Sequence, residues 1–353
     1  MLNREKLKKY LPAIITIFII VLVGLVYFFM FAAAPSNTKM SDEFINPNAP
    51  KNGQIAIEGY GIPRLKAEGF IKSELGFKIA FALAGGKDIQ PGAYQIKDHT
   101  NAWQVAQILK AGPNMKWVTI PEGLRKEQIA NILGDALGWS DDQKSKWVTN
   151  YTALTVDYIE GVYFPDTYLI PVNENPLDVA QRMERNFNEK FAPYSQEALK
   201  QNIKWTTVIR LASIVQREAA DSNDMPLIAG VFWNRLNQDM KLEADSTVQY
   251  ARDSLAHYGK EPGLYQDLYY TLPGDWWKPI QPADKQIKSP FNTYLNKGLP
   301  PRPIDNPGLD AISAVLHPSD TPCLYYLHDD NRQIHCAKTY EEHLKNISQY
   351  LKN

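Results

Sequence analysis

The run TTVIRLASIVQREAA, residues 206–220, has the apolar period of an amphipathic helix and carries one carboxylate, Glu218, near its end. At 100° per residue the polar side chains fall on one narrow stripe, namely Thr206, Arg210, Ser213 and Arg217. Glu218 projects instead over the apolar Leu211, Ile214 and Val215. A carboxyl held against apolar side chains loses hydration of its charged form, so Glu218 is a candidate general acid. The competing interpretation is that Glu218 only ends the helix and reaches water.

Further segments surround this helix in an order that is typical of one protein family. They are IPEGLRKEQIANIL (120–133), IEGVYFPDTYLIP (159–171), MPLIAGVFWNRLNQDMKLEADSTVQYA (225–251) and SPFNTYLNKGLPPRPIDNPGLDAISAVLHPS (289–319). With ASIVQREAA (212–220) they span most of residues 90–345. The chain therefore resembles the YceG-like family of endolytic murein transglycosylases, membrane-anchored enzymes that cut nascent peptidoglycan strands.

The resemblance implies a lyase mechanism in which Glu218 is the single general acid and base. Glu218 protonates the glycosidic oxygen between N-acetylmuramic acid and N-acetylglucosamine, and then removes the proton of the muramoyl 6-hydroxyl. That hydroxyl closes a 1,6-anhydro ring without water, and neither a cofactor nor a metal is required. An ordinary glycoside hydrolase needs two carboxylates roughly 5 to 10 Å apart. Asp245 is the most obvious second carboxylate, although it also suits a structural role.

Candidate substrate-binding residues lie in two segments. In FNTYLNKGLPPRPIDNPG (291–308), the amide of Asn292 and the phenol of Tyr294 are suited to bonding acetamido or hydroxyl groups. In EADSTVQYA (243–251) the same role is open to four residues: Asp245, Thr247, Gln249 and Tyr250. The alternative in both segments is packing alone. Ser246 stands where the family commonly has proline, and Arg302 where it commonly has glycine.

Composition sets outer limits on function. A chain of 353 residues is long enough for two domains with proper cores, and a formal net charge of −1 gives no electrostatic reason to expect nucleic acid as a partner. The 19 Tyr and 8 Trp are compatible with a carbohydrate partner, although most of them are expected in the core. No serine or cysteine nucleophile motif accompanies His335 and His343, so both are expected to be structural or surface histidines.

The N-terminal sequence predicts a membrane anchor. Residues 11–34 contain no charged side chain and are long enough to cross a bilayer core of roughly 30 Å as a helix. Basic residues precede this stretch, namely Arg4, Lys6, Lys8 and Lys9. We therefore predict a cytoplasmic tail (1–10), an uncleaved single-pass signal anchor in the inner membrane (11–34), and an extracytoplasmic catalytic domain.

The rest of the chain is predicted to be α+β, with a tether over 35–52. Two segments align without gaps, YQIKDHTNAWQVAQILK (94–110) and VTIPEGLRKEQIANILG (118–134), and each has the pattern of a strand, a turn and an amphipathic helix. The resemblance implies that they belong to a LysM-like N-terminal domain, residues 53–172. A platform that orients the catalytic domain and barely touches sugar is the alternative.

Residues 173–353 are predicted to form a mixed α+β catalytic domain without a doubly wound sheet, because strands and helices do not alternate regularly. Helices are expected over 177–191, 205–220, 225–238 and 309–315. The segments CLYYL (323–327) and QIHC (333–336) predict a hairpin. The hairpin brings Cys323 and Cys336 near each other, and its register decides whether they form a disulfide.

Two non-enzymatic functions compete with this interpretation: a membrane-anchored module that only docks on peptidoglycan, and a scaffold of the cell-wall machinery. A binding module would tolerate glutamine at position 218, whereas an enzyme would not. Besides glycan strands, the family implies cell-wall synthases (penicillin-binding proteins) as partners, with the N-terminal helix in the membrane.

Overall fold

The computed structural model describes residues 4–27, 52–57, 61–97, 100–154, 159–258 and 275–351. The helices in these ranges are α1 (Arg4–Tyr27), α2 (Gly61–Ala67), α3 (Glu74–Leu83), α4 (Ala102–Ala111), α5 (Lys126–Leu137), α6 (Asp141–Thr149), α7 (Pro176–Lys200), α8 (Trp205–Glu218), α9 (Met225–Asn237), α10 (Asp245–Tyr258), α11 (Leu309–Leu316) and α12 (Tyr340–Tyr350). The strands are β1 (Asn52–Ile57), β2 (Gly92–Lys97), β3 (Met115–Thr119), β4 (Thr167–Pro171), β5 (Tyr325–His328) and β6 (Ile334–Ala337). The predicted α+β class is confirmed.

The chain divides into two compact units. Unit 1 comprises Met1–Lys116 and Leu169–Asn173, and unit 2 comprises Trp117–Tyr168 and Glu174–Asn353. This division differs from the predicted boundary at residue 172. The second half of the sequence repeat, and the segment that follows it, therefore belong to the same unit as α8.

Unit 1 contains the strand pair β1 and β2 together with the short capped helices α3 and α4. β1 and β2 pair antiparallel from Asn52↔Lys97 to Ile57↔Gly92, and Ala93 of β2 pairs with Met115 at the start of β3. The side chain of Asn101 accepts a hydrogen bond from the backbone N–H of Gln104, which begins α4 with a capping box. The apolar faces of the helices join one core of buried residues, whose aromatic members are Phe70, Phe77, Phe81 and Tyr94.

Both halves of the sequence repeat contain the predicted strand and helix. The first half is β2 followed by α4, and the second is β3 followed by α5. Leu109 and Leu133, which the repeat aligns, are both completely buried. The aligned apolar positions of the repeat therefore mark the buried faces of the two helices. Glycan binding by a LysM-like domain stays a prediction.

The core of unit 2 forms where α8 packs on α11, α9 and α7. Phe187 and Phe191 of α7 stack on each other at 5.1 Å between ring centroids, and both contact Trp205 at the start of α8. The four predicted helices are present. α7 is longer than predicted because it continues through Pro193 to Lys200. α10 and α12 were not predicted.

A buried polar cluster explains why residues 117–168 belong to unit 2. The guanidinium of Arg125 is completely buried and donates to the hydroxyl of Ser254 at 2.8 Å. Oε1 of Glu160 accepts a hydrogen bond of 2.6 Å from the amide of Asn306. Burial, followed by the charge of Glu127, raises the pKa of Glu160 from 4.5 to about 8. These contacts join segments that lie far apart in sequence.

The predicted hairpin of unit 2 is confirmed. β5 and β6 pair antiparallel, with Tyr326 opposite Cys336. Cys323, just before β5, is joined to Cys336 by a disulfide with a Cα–Cα distance of 5.8 Å. The register therefore permits the bond that the sequence left open.

Two N-terminal predictions concern residues that the structure describes only in part. Among the described residues, no helix is found that combines the length and the apolar character of a membrane span. Residues 28–34 of the predicted anchor, and the predicted tether up to residue 51, lie outside the described residues. The anchor therefore stays a prediction from the sequence.

Candidate active site

Glu218 is the last residue of α8, and Ala219 leaves the helix with extended backbone angles. The apolar face that contains Leu211, Ile214 and Val215 is completely buried, whereas Glu218 is half-buried. The position of Glu218 over these apolar residues stays a prediction. The helix ends at Glu218, and its side chain meets polar groups from later segments.

Three hydrogen-bond donors surround the carboxyl group of Glu218. Its Oε1 atom accepts from the backbone N–H of Ser246 at 3.0 Å and from the Ser246 hydroxyl at 2.7 Å. Its Oε2 atom accepts from the phenol of Tyr326 at 2.9 Å. Ser246 lies in the first turn of α10, where free N–H groups and the helix dipole attract a carboxylate. These contacts fix the orientation of the acid.

The acid faces a cavity of about 250 Å³. Its lining residues all belong to unit 2 and are Glu218, Arg235, Leu242, Glu243, Asp245, Tyr294, Tyr325, Tyr326, Tyr340 and His343. Three carboxylates and four phenols dominate this lining. Such a surface offers many hydrogen-bond partners together with aromatic faces, which suits a polyhydroxylated ligand.

Asp245 and Tyr294 form one wall of the cavity. The phenol of Tyr294 donates to Oδ1 of Asp245 at 2.6 Å. Burial, this hydrogen bond and the charges of Asp245 and Glu218 raise the pKa of Tyr294. The phenol therefore keeps its proton and acts as a donor. Two of the six residues predicted to bind substrate thus lie beside the predicted acid.

Arg235 supplies the one guanidinium in the lining. It contacts Glu243 at 3.2 Å and also donates to the carbonyl oxygens of Leu242 at 2.9 Å and Leu324 at 2.6 Å. Its charge is therefore paired and its position is fixed. Burial and the charge of Arg235 lower the pKa of His343, which favours a neutral imidazole in this wall.

Asn292 and Thr247 do not line the cavity. Asn292 is completely buried and its amide donates to the carbonyl oxygens of Lys285 at 3.0 Å and Ile287 at 2.9 Å. The hydroxyl of Thr247 is also buried and contacts the hydroxyl of Thr293 at 2.8 Å. Since their polar groups are used inside the protein, both positions favour a structural role over the predicted contact with substrate.

Gln249 and Tyr250 are also engaged in packing. The amide of Gln249 donates to the carbonyl oxygen of Trp277 at 3.2 Å. The ring of Tyr250 is buried between the guanidinium of Arg125, 4.1 Å from its centroid, and the ring of Phe291 at 4.8 Å. Neither residue reaches the cavity, so we do not retain them as substrate ligands.

Ser246 and Tyr326 donate hydrogen bonds to Glu218 and were not among the predicted site residues. In the sequence, Ser246 stood out only because the family commonly has proline at this position. Its backbone N–H and its hydroxyl, both of which proline lacks, are the two donors to Oε1. Nothing in the sequence pairs Tyr326 with Glu218 across 108 residues. Within the described part of the chain, no group of three or more His, Cys, Asp or Glu side chains is arranged to hold a metal ion.

Comparison with known proteins gives consistent matches. The model of the YceG-like family matches residues 62–349. The endolytic murein transglycosylase of Bacillus subtilis (strain 168) is 30% identical over 336 residues, which are 89% of this chain and 86% of that protein. The protein of the same name from Streptococcus pneumoniae serotype 2 (strain D39) is 26% identical over 344 residues, which are 88% of this chain but 59% of that protein.

A solved structure has the same fold. It is the crystal structure of a protein from Listeria monocytogenes described as yceG-like, with a TM-score of 0.54 and 24% sequence identity. The match covers 83% of this chain and 98% of the other.

Proposed function

Because the chain belongs to the YceG-like family, we propose that it is a peptidoglycan lytic transglycosylase that cuts glycan strands internally. The observation that supports this proposal best is the carboxyl of Glu218, held by three donors at the edge of a polar cavity. The name of the Bacillus subtilis relative supports the substrate and the reaction class.

The hydrogen bonds of Glu218 indicate which oxygen carries the transferred proton. Oε1 faces a backbone N–H, which can only donate, so a proton on Oε1 would meet another hydrogen. Oε2 faces the hydroxyl of Tyr326, which is able to rotate. We therefore assign the proton to Oε2. The Ser246 donors then stabilise the carboxylate that forms when the proton leaves.

In the first half of the reaction, Glu218 donates this proton to the glycosidic oxygen and the bond from C1 to that oxygen breaks. The released N-acetylglucosamine residue gains a 4-hydroxyl group, and positive charge develops at C1 of the muramoyl ring. The carboxylates of Asp245 and Glu243 line the same cavity and favour such a charge. The carboxylate of Glu218 then takes the proton of the muramoyl 6-hydroxyl while O6 bonds to C1.

Hydrolysis is the second candidate, and one observation favours it: two further carboxylates, Asp245 and Glu243, line the cavity of Glu218. Glycoside hydrolases use a second carboxylate as a base or a nucleophile. The product would then be a reducing end in place of a 1,6-anhydro ring.

The test is the cleavage of uncross-linked glycan strands by the full chain in detergent, with Glu218→Gln as the matched variant. Mass spectrometry identifies the products. Internal fragments that end in 1,6-anhydromuramic acid, absent with the variant, are the expected result. Reducing ends would establish hydrolysis. Full function of Glu218→Gln in cells would favour the non-catalytic scaffold.

Anchoring in the inner membrane by residues 11–34, with the catalytic domain outside the cytoplasm, is part of the proposal and rests on the sequence. A disulfide between Cys323 and Cys336 fits an oxidising compartment. The expected result is that the full chain resists carbonate extraction from membranes, whereas a chain without residues 1–34 does not. Binding of glycan by unit 1 and partnership with cell-wall synthases are proposed on the family resemblance alone.

A further inference from the structure

Arg235 lies near the end of α9 and is almost fully buried, with 7% of its surface exposed. Its guanidinium donates hydrogen bonds to two separate stretches of backbone. Nε donates to the carbonyl oxygen of Leu324 at 2.6 Å, in the stretch before β5. Nη1 donates to the carbonyl oxygens of Lys241 at 3.1 Å and Leu242 at 2.9 Å, in the loop before α10. One side chain therefore joins these two stretches, and the mechanism proposed above does not use it.

Each of the two stretches leads directly to a hydrogen-bond donor of the acid. The first is followed by β5, in which Tyr326 donates to Oε2 of Glu218 at 2.9 Å. The second is followed by α10, in which Ser246 donates to Oε1 of Glu218 through its backbone N–H and its hydroxyl. The two donors come from segments that lie far apart in sequence, and the guanidinium of Arg235 bonds to the approach to both.

The loop before α10 contains a strained residue that needs fixed support. The backbone of Glu243 has a φ of 52°, in the left-handed region that is costly for a residue with a Cβ atom. Arg235 holds the carbonyl oxygen of Leu242 just before this residue and the carboxylate of Glu243 itself at 3.2 Å. The backbone N–H of Glu243 donates to the carbonyl oxygen of Thr293 at 3.2 Å. These contacts fix the loop in one conformation, which sets where α10 begins.

The planar shape of the guanidinium suits it to bind both stretches. It presents five N–H donors in a rigid fork, so one side chain reaches acceptors in two directions. It also lies over the ring of Tyr325, with 5.0 Å from Cζ of Arg235 to the ring centroid, and Tyr325 directly precedes the phenol donor. The ammonium group of a lysine carries the same charge without the fork and therefore cannot reproduce these bonds.

From these contacts we propose that Arg235 is a positioning residue, which places Ser246 and Tyr326 against the carboxyl group of Glu218. This inference rests on the proposed function and adds a residue that sets the geometry of the acid by acting through its two donors. Direct contact of Arg235 with substrate is the alternative, because the residue also lines the cavity. The two roles differ in their effect on kcat and KM.

The experiment measures kcat and KM for cleavage of uncross-linked glycan strands by the full chain in detergent. Arg235→Lys is expected to lower kcat roughly ten- to a hundredfold, because a misplacement of about 1 Å has an effect of this size. KM should stay within about twofold of the wild type. Arg252→Lys is the matched control, since Arg252 donates to the carbonyl oxygens of Lys278 at 2.9 Å and Pro279 at 3.1 Å and does not line the cavity. It should cleave at the wild-type rate.

A double-mutant cycle separates positioning from a general structural role. In a chain with Ser246→Ala and Tyr326→Phe, both hydroxyl donors that Arg235 places are absent. Arg235→Lys should then lower kcat by no more than about threefold. An equal loss of kcat in both backgrounds would overturn the proposal. A rise in KM without a fall in kcat would overturn it in favour of direct contact with substrate.

A spectroscopic measurement makes the test independent of activity. Carbon NMR of the full chain, labelled at Cζ of its tyrosines, identifies the Tyr326 signal as the one that Tyr326→Phe lacks. Arg235→Lys should shift this signal and Arg252→Lys should not, and an unchanged signal would overturn the proposal. If the wild type cleaves no strands but the signal still depends on Arg235, the proposed function fails and the positioning of Tyr326 stands. If Arg235→Lys does not fold, Arg235→Gln replaces it, and failure of both to fold would limit Arg235 to stability and overturn the proposal.

Discussion

Replacement of Tyr326 by phenylalanine removes one hydroxyl group and keeps the ring. The lost contact is the 2.9 Å hydrogen bond to Oε2 of Glu218, the oxygen to which we assign the transferred proton. The edge-to-face contact of the Tyr326 ring with Phe232, at 6.0 Å between centroids, is retained. The substitution therefore tests the hydrogen bond and leaves the packing of β5 on α9 in place.

The expected loss of rate follows from the type of bond. A hydrogen bond to a charged group contributes about 1.5–3 kcal/mol, and a change of about 1.4 kcal/mol in the barrier is tenfold in rate. Tyr326 is only half-buried, so the lower part of this range applies. We expect kcat for strand cleavage to fall about tenfold. KM should change little, because the carboxylate charge develops only in the transition state.

Single-turnover cleavage of glycan strands, with the anhydro products separated by chromatography, measures the chemical step directly. Tyr94→Phe is the matched control, since the buried Tyr94 phenol donates to the carbonyl oxygen of Gln90 at 2.8 Å within unit 1. It loses a comparable bond and should cleave at the wild-type rate. A folded Tyr326→Phe chain whose kcat stays within about twofold of the wild type would refute the role assigned to the phenol.

Three other outcomes are expected. Ser246→Ala removes the 2.7 Å hydroxyl bond to Glu218 but keeps the backbone N–H bond, so single-turnover cleavage should slow about three- to tenfold; an unchanged rate would mean that the N–H suffices. The folded protein raises the pKa of Glu160 from 4.5 to about 8 and so holds an extra proton, which means that its unfolding free energy falls as pH rises through this window. In denaturant titrations, the unfolding free energy of Glu160→Gln should therefore fall less steeply with pH than that of the wild type. Equal pH dependence of the two unfolding free energies would contradict this. Serine at both Cys323 and Cys336 removes a crosslink between residues 13 apart and should lower the unfolding free energy by about 3 kcal/mol in denaturant titrations; addition of reductant to the wild type should reproduce this loss.

The sequence predicted α8 and the hairpin well because local patterns determine them. The apolar period of residues 206–220 marks the helix, and short β-branched and aromatic runs mark the strands. α10 was missed because its sequence DSTVQYARDSLAHY contains several residues of weak helix propensity. α12 was missed although Tyr340, Leu344 and Ile347 recur at helical spacing in its sequence; none of its residues is fully buried.

Site residues were predictable by chemical type but not by position. Glu218, predicted as the general acid, lines the cavity, and its hydrogen-bond donors are Ser246 and Tyr326. Asn292 has the right chemistry for a sugar ligand, but the fold uses its amide to hold the carbonyl oxygen of Ile287. Residue type states what a side chain can bond. Tertiary contacts decide what it does bond, and single-sequence patterns do not contain them.

The order of the groups around the acid also has a consequence for biosynthesis. Glu218 precedes Ser246 by 28 residues and Tyr326 by 108 residues, so a ribosome makes the acid well before the groups that orient it. A nascent or prematurely terminated polypeptide that stops before the hairpin carries the glutamate without its phenol partner. In the mechanism we propose, cleavage therefore requires translation through Tyr326.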